Sequence, residues 1–229
     1  MRLAIMQPYL LPYIGYFQLI NAVEKFVIYD DVNFIKQGWI NRNRILVNGK
    51  DHIFTLKLNG ASSFKRINQI DILNSKEKIL KTVSQSYRKA PFYEQTMPLI
   101  QKIFSKQENN LASFLIFSLL EILKSLNIDT PIVKSSEIAK TNLLKGQDKI
   151  IYICKLLDAT VYINAIGGQG LYNREAFQKN NIKLQFIKSR DINYEQFNSF
   201  FIPWLSIIDV LMFNSLETIQ EMLREYDLV

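Results

Sequence analysis

The side chains best suited to chemistry are concentrated in the stretch YDDVNFIKQGWINRNRI, which begins at the end of an apolar run. A carboxylate pair such as Asp30 and Asp31 can hold Mg²⁺ or accept a proton, so both are candidate catalytic bases. Lysine and arginine neutralise phosphates, and a tryptophan can stack on a base or sugar ring. The candidate substrate-binding residues of this stretch are Asn33, Lys36, Trp39, Asn41, Arg42, Asn43 and Arg44.

The N-terminal stretch MQPYLLPYIGYF places prolines and tyrosines between a predicted strand and a glycine at a predicted helix start. Backbone N–H groups at a helix N-terminus attract anions, which favours a binding role. A tight turn with tyrosines packed beneath it explains the same pattern equally well. The substrate-binding candidates are Gln7, Tyr9, Tyr13, Gly15 and Tyr16.

A third stretch, YINAIGGQGLYN, follows another predicted strand and contains three glycines. Glycines in that position let the backbone approach a ligand closely, although an ordinary turn explains them nearly as well. The substrate-binding candidates are Asn164, Gly167, Gly168 and Tyr172.

The chain has one histidine and one cysteine. His52 is a third candidate base, because its imidazole has an unperturbed pKa near neutrality, although a lone histidine is more often structural or exposed. Cys154 lies on the apolar face of a predicted helix, which favours a buried, inert thiol. A single cysteine excludes an internal disulfide and a cysteine-rich metal site, and it fits a reducing, cytoplasmic compartment. We assign no metal ligands and leave the metal requirement open.

The elements that must position these residues have the pattern of an α/β fold, a Rossmann-like parallel sheet flanked by helices. Residues 2–7 and KFVIYDD are predicted strands, and a helix between them begins near Ile14 or Gly15, which makes a right-handed βαβ unit. Asn48-Gly49 predicts a β-hairpin. Helices between about residues 75 and 128 form an insertion, and residues 1–229 are predicted to be one domain because no linker interrupts them.

Composition limits the partners. The net charge is +7, but the basic residues are spread along the chain, so we favour a solvated basic surface over DNA binding. No apolar stretch reaches the ~18 residues of a membrane span. An anionic small-molecule substrate, such as a nucleotide or sugar nucleotide, is compatible with this charge but is not required by it, and a homo-oligomer is left open.

Four stretches carry a resemblance to the WbqC-like family: MQPYLLPYIGYFQLI, IYDDVNFIKQGWINRNRI, YINAIGGQGLY and FIPWLSIIDVLMFNS. The resemblance implies a role in O-antigen and surface-polysaccharide biosynthesis, with transfer of an acyl or aminoacyl (glycyl-type) group to a nucleotide-linked amino sugar. The donor is left open among a nucleotide-activated carboxylate, acyl-CoA and an aminoacyl donor. The alternative is a non-catalytic accessory protein that binds a sugar nucleotide and partners a glycan-pathway enzyme.

The start of the chain is also similar, more distantly, to HUP-type nucleotide-binding folds such as that of pantoate–β-alanine ligase. That similarity implies the same HUP-type parallel sheet. Tyr13 and Tyr16 stand where those enzymes have phosphate-binding histidines, and tyrosine cannot supply a cationic contact. ATP-dependent adenylation is therefore disfavoured.

Overall fold

The structure is a computed structural model that describes residues 1–139, 144–197 and 200–229. The strands of these residues are β1 (Arg2–Met6), β2 (Lys25–Ile28), β3 (Arg42–Val47), β4 (Lys50–Thr55), β5 (Leu58–Asn59), β6 (Asp71–Ile72), β7 (Ile132–Lys134), β8 (Val161–Ala165), β9 (Lys183–Ser189) and β10 (Tyr226–Leu228). The α-helices are α1 (Ile14–Asn21), α2 (Lys76–Tyr87), α3 (Tyr93–Ser105), α4 (Leu111–Ser125), α5 (Gly146–Leu156), α6 (Arg174–Gln178), α7 (Ile207–Phe213) and α8 (Leu216–Met222).

Six strands form the main sheet in the order β10-β9-β8-β1-β2-β7. All neighbouring pairs are parallel except the antiparallel pair of β9 and the edge strand β10. Helices flank this sheet, and β3 and β4 form a separate hairpin whose turn contains Asn48-Gly49. The predicted α/β, Rossmann-like fold with a hairpin is therefore confirmed.

Alternation along the strands sends apolar side chains to both faces of the sheet. In β1, Leu3 and Ile5 join the core beneath α5 and α6, while Ala4 joins the larger core that contains α1 and helices α2 to α4. A sheet covered on both faces must be apolar on both, which explains why its strands read as short continuous apolar runs.

The helices of the predicted insertion, α2 to α4, contribute their buried faces to the larger core. Among the described residues, none of the helices combines the length and the apolar character that crossing a bilayer requires.

The sequence INQIDI, residues 67–72, predicts one strand. The segment is instead a 3₁₀ helix over Ile67–Gln69 followed by the two-residue strand β6. Two of its N–H groups bond to the loop after β2: Ile67 to the Val32 carbonyl at 2.9 Å and Asn68 to the Asp30 carbonyl at 3.1 Å. These bonds occupy the donors that a longer strand ladder would need.

Cys154 is fully buried on α5, as predicted. Burial raises the pKa of its thiol to about 12, so the nucleophilic thiolate is scarce at neutral pH. We expect iodoacetamide at about pH 8 to leave the native protein unmodified and to alkylate it fully in denaturant, as measured by intact mass. Rapid alkylation of the native protein would contradict this burial.

Candidate functional site

A cavity of about 690 Å³ opens at the carboxyl ends of β1 and β8. The chain runs outward from β1 through β2 to β7 and then returns to β8 on the other side of β1. Such a reversal of strand order leaves a crevice between the loops that follow the two central strands. The volume falls within the roughly 300–1,000 Å³ of small-molecule sites, so the fold itself places a candidate ligand site here.

The first wall is the loop after β1 together with the start of α1. The Tyr16 hydroxyl donates to the Gln7 carbonyl at 2.9 Å, and the rings of Tyr9 and Tyr16 lie 5.6 Å apart. Helix α1 has no side-chain N-cap, and no acceptor among the described residues bonds to the N–H groups of Ile14 and Gly15. Two backbone donors are thus free at the positive end of α1, and one of them belongs to Gly15, which lines the cavity.

Gly15 lines the cavity in the first turn of α1. A Cβ atom added to it would lie 2.2 Å from the Tyr13 hydroxyl oxygen, so the Tyr13 ring covers this glycine. Tyr16 is packed beneath the turn, whereas Tyr13 remains 36% exposed. The turn therefore combines buried tyrosines with an accessible one.

The second wall comes from the start of the hairpin. Asn43 lies against the cavity, but its amide donates to the carbonyls of Leu10 and Leu11 at 2.9 and 2.8 Å, which fixes the first loop. Arg44 donates to the Trp204 carbonyl at 3.3 Å and pairs with Asp51 at 3.3 Å. Its buried Nε has no hydrogen-bond partner among the described residues.

Trp39 belongs to this wall and contacts two guanidinium groups. The central carbons of Arg42 and Arg44 each lie 5.7 Å from the centre of its ring. Arg42 points away from the cavity, because its guanidinium donates to the carbonyls of Gln37 and Gly38. Arg44 is thus the cationic side chain among the described residues that line the cavity.

The third wall follows β8. The side-chain oxygen of Asn164 accepts the N–H of Ala165 at 2.7 Å, and the amide nitrogen lies 3.2 Å from where a Gly168 Cβ would be. Gly167 faces open space in the 3₁₀ helix Ile166–Leu171. A side chain at position 168 would crowd the Asn164 amide, so steric contact favours glycine at this position.

Tyr172 ends the third wall with its hydroxyl 3.3 Å from that of Tyr162. Burial raises the pKa of Tyr172, and hydrogen bonds with Tyr162 and Asn164 oppose that rise. The phenol therefore stays protonated at neutral pH. If its oxygen accepts from both neighbours, its own proton is left for a ligand.

Three candidate bases lie away from the cavity. Asp30 accepts from the Ser136 backbone N–H and hydroxyl at 2.9 and 2.6 Å, and Asp31 accepts from the Ser135 hydroxyl at 2.6 Å and pairs with Lys149 at 3.3 Å. Both carboxylates tie the end of β2 to the segments around β7 and α5. His52 is exposed on β4, in register with Ile45.

Three further candidates from the segment after β2 are also outside the cavity. Asn33 and Lys36 are exposed in the loop, and the Asn41 amide donates to the Leu56 carbonyl at 2.9 Å. The cavity therefore gathers Gln7, Tyr9, Tyr13, Gly15, Tyr16, Trp39, Asn43, Arg44, Asn164, Gly167, Gly168 and Tyr172, and leaves out Asp30, Asp31, Asn33, Lys36, Asn41, Arg42 and His52.

Two aromatic residues that line the cavity were missed by sequence reasoning. Tyr29 ends the run KFVIY directly before the carboxylate pair, and Trp204 follows Pro203 in the irregular segment before α7. An aromatic residue at a strand end was the available signal for Tyr29. Trp204 is held in place because the Ser206 hydroxyl donates to the Leu11 carbonyl at 2.7 Å and the Ile207 N–H donates to Pro12 at 2.9 Å.

The cavity is nearly devoid of groups that titrate near neutrality. Its described lining residues include no carboxylate, imidazole, thiol or amine, and burial raises the pKa of the hydroxyls of Tyr9, Tyr16 and Tyr29. Nor do any three His, Cys, Asp or Glu side chains converge as a metal site within the described part of the chain. The lining is aromatic and apolar with one cation, which suits an anionic ligand that has ring systems.

Comparison with known proteins identifies the family of the chain. The model of the WbqC-like protein family matches residues 7–221. The chain is 26% identical over 216 residues to the uncharacterized protein Rv1507c of Mycobacterium tuberculosis, covering 92% of each chain. No solved structure matches it.

Proposed function

Since the chain belongs to the WbqC-like protein family, which suggests a role in glycan biosynthesis, we propose that it transfers an acyl or aminoacyl group to a nucleotide-linked amino sugar. The observation that carries the proposal is the cavity at the strand reversal, where aromatic walls meet one arginine and free helix N–H groups. Aromatic rings stack on a base or sugar, and guanidinium and N–H groups bind phosphate.

In the proposed reaction, the amine of the sugar attacks the carbonyl carbon of an activated carboxyl group. A C–N bond forms as the bond to the leaving thiolate, phosphate or ribose oxygen breaks, and the proton of the amine passes to the leaving group or to water. The donated hydrogen bond of Tyr172 stabilises the negative charge that develops on the carbonyl oxygen. Because no described lining residue is a ready base, catalysis would depend on positioning and charge stabilisation.

The same absence of a base favours a second candidate function, a non-catalytic protein that binds the sugar nucleotide. The two functions are separated by incubating the purified protein with a UDP- or dTDP-linked amino sugar and either acetyl-CoA, glycine with ATP, or glycyl-tRNA. Mass spectrometry would detect the acylated sugar nucleotide. A product supports the transferase, whereas thermal stabilisation by the sugar nucleotide without product with any donor supports the binding protein.

Arg44 provides a test of phosphate binding that holds for either function. We expect Arg44→Gln to weaken binding of the sugar nucleotide by about tenfold or more, because a charge-assisted hydrogen bond to phosphate is lost. Titration calorimetry measures the affinity. The matched control is Arg2→Gln at the amino end of β1, where an exposed pair with Glu24 lies far along the sheet from the cavity. Equal affinities of the two variants would remove Arg44 from the phosphate site.

A further inference from the structure

Four exposed large apolar side chains border the cavity. Trp39, Trp204, Leu171 and Ile35 border it with exposures of 41, 70, 73 and 53%. Phe64, 91% exposed, lies on a loop that is bonded to the loop of Ile35: the Phe34 N–H donates to the Lys65 carbonyl at 2.9 Å, and Asn33 forms an isolated β-bridge with Arg66. We call these five side chains the rim.

Exposed single apolar residues are ordinary on a protein surface, but a contiguous group of large ones marks an interaction site. The rim residues come from segments that are far apart in sequence, around residues 33–44, 61–69, 166–172 and 200–206. Each side chain lies on a loop or 3₁₀ turn, so the rim is assembled by the fold from several segments.

The charge of the same four segments is entirely of one sign. They contain Lys36, Arg42, Arg44, Lys65 and Arg66, and no aspartate or glutamate. Lys36, Lys65 and Arg66 are exposed next to rim residues. A partner that covers the rim must therefore have a negatively charged surface and an apolar layer directly beneath that surface.

We propose that the rim docks the protein on an anionic lipid bilayer, with the cavity mouth facing the headgroups. Tryptophan and phenylalanine partition into the interfacial region, and leucine and isoleucine reach the acyl boundary. Lysine and arginine add attraction to anionic headgroups. This inference does not depend on the transfer reaction, since docking is measured without any substrate.

Other occupants fit the rim less well. A second copy of the chain would bring the same five cations against each other, because a two-fold interface is self-complementary. A single-stranded nucleic acid would use the aromatic rings and cations but gains no stacking from Ile35 or Leu171. The mixture of aliphatic and aromatic tips with one sign of charge favours the bilayer.

The test is flotation of the full-length protein with vesicles of phosphatidylcholine alone or mixed with phosphatidylglycerol. We expect binding to the mixed vesicles that decreases with added salt, and much weaker binding to phosphatidylcholine. Phe64→Gln with Leu171→Gln should abolish most of the binding, whereas Leu120→Gln, an equally polar change at an exposed leucine on α4, should not. Melting temperatures check that each variant is folded.

A charge-matched pair of variants separates the rim from net charge. Lys36→Glu with Lys65→Glu should weaken vesicle binding at least about tenfold, since each basic residue near an anionic surface contributes about fivefold. Lys78→Glu with Lys81→Glu, exposed on α2, makes the same change in net charge and should have little effect. Equal losses from the two pairs, or no binding to mixed vesicles, would overturn the proposal. A salt-sensitive complex with a single-stranded oligonucleotide and none with vesicles would replace the bilayer by nucleic acid.

Discussion

Replacing Asp209 with alanine should lower the free energy of unfolding by about 3–5 kcal/mol, because it strips the acceptor from several buried donors. Asp209 is fully buried on α7 and accepts from the hydroxyls of Tyr87 and Tyr194 at 2.7 Å and from the Gln196 amide at 2.6 Å. The two phenols would be left without this acceptor in a low-dielectric core. Thermal unfolding should shift downward by roughly 10 °C for a chain of this size.

The same carboxylate connects the core to the cavity. Tyr87 on α2 also accepts the N–H of Leu46 at 2.8 Å, and Gln196 holds Ile202 through both its amide oxygen and its amide nitrogen. Trp204 follows two residues later in the cavity wall. The alanine variant should therefore also bind the sugar nucleotide less tightly, through loosening of the segment that carries Trp204.

Two further measurements define this prediction. Asp129→Ala, at an exposed aspartate, should change the free energy of unfolding by less than ~0.5 kcal/mol. If Asp209→Ala lost no more than that, the role of the network would be contradicted.

Burial raises the pKa of Asp209 above 3.8. Between that value and the raised pKa, the folded state therefore keeps a proton that the unfolded state has lost. The contribution of Asp209 to stability should thus decrease as the pH rises through this window, and Asp209→Asn should lack this dependence.

The second large effect is expected from Tyr172→Phe, which should reduce turnover by ~10²-fold or more if the protein is a transferase. The variant removes one hydroxyl and keeps the ring that packs against Tyr162 and Phe177 at centroid distances of 5.6 and 5.7 Å. The fold should therefore lose about 1 kcal/mol at most. Turnover is measured as acylated sugar nucleotide formed per minute, beside the melting temperature.

Tyr226→Phe on the edge strand β10 is the matched control, since it removes a hydroxyl from a tyrosine that does not line the cavity. If turnover falls only in Tyr172→Phe and KM is nearly unchanged, the hydroxyl makes a hydrogen bond mainly in the transition state. Unchanged turnover in Tyr172→Phe would exclude its hydroxyl from the reaction. If the wild-type protein makes no product, the same pair of variants tests ligand affinity, where we expect about a tenfold loss for Tyr172→Phe alone.

Much of the candidate site was predictable because it depends on local sequence. The loops after β1 and β8 were identified from the apolar run, the following turn residues and the helix start, all within about fifteen residues of one another. The rule that ligands bind at the carboxyl ends of parallel strands then selects these loops without knowledge of the strand order. The hairpin was predictable for the same local reason, since Asn48 and Gly49 both adopt the positive φ that its turn requires.

The roles of the charged residues after β2 were not predictable. Asp30 and Asp31 have the composition of a catalytic pair, but Ser135, Ser136 and Lys149, about a hundred positions later, occupy their oxygens. A buried carboxylate is stabilised by whichever donors the fold brings to it, and the sequence does not state which segments will be adjacent. Arg42 and Arg44 lie on the same face of β3, but Arg42 donates to the carbonyls of Gln37 and Gly38 in the preceding loop, whereas Arg44 borders the cavity.

The sequence by itself determined most of the element types, the alternation that makes the sheet apolar on both faces, and the positions of Gln7, Asn164 and the nearby glycines in or beside loops at strand ends. These properties follow from backbone preference and side-chain periodicity over a few residues. Only the tertiary structure decided that β8 lies beside β1, that Trp204 borders the cavity they create, and that Ser135, Ser136 and Lys149 are partners of the carboxylate pair. Those outcomes depend on contacts between segments more than a hundred residues apart, where burial and hydrogen bonding of the whole chain select one arrangement.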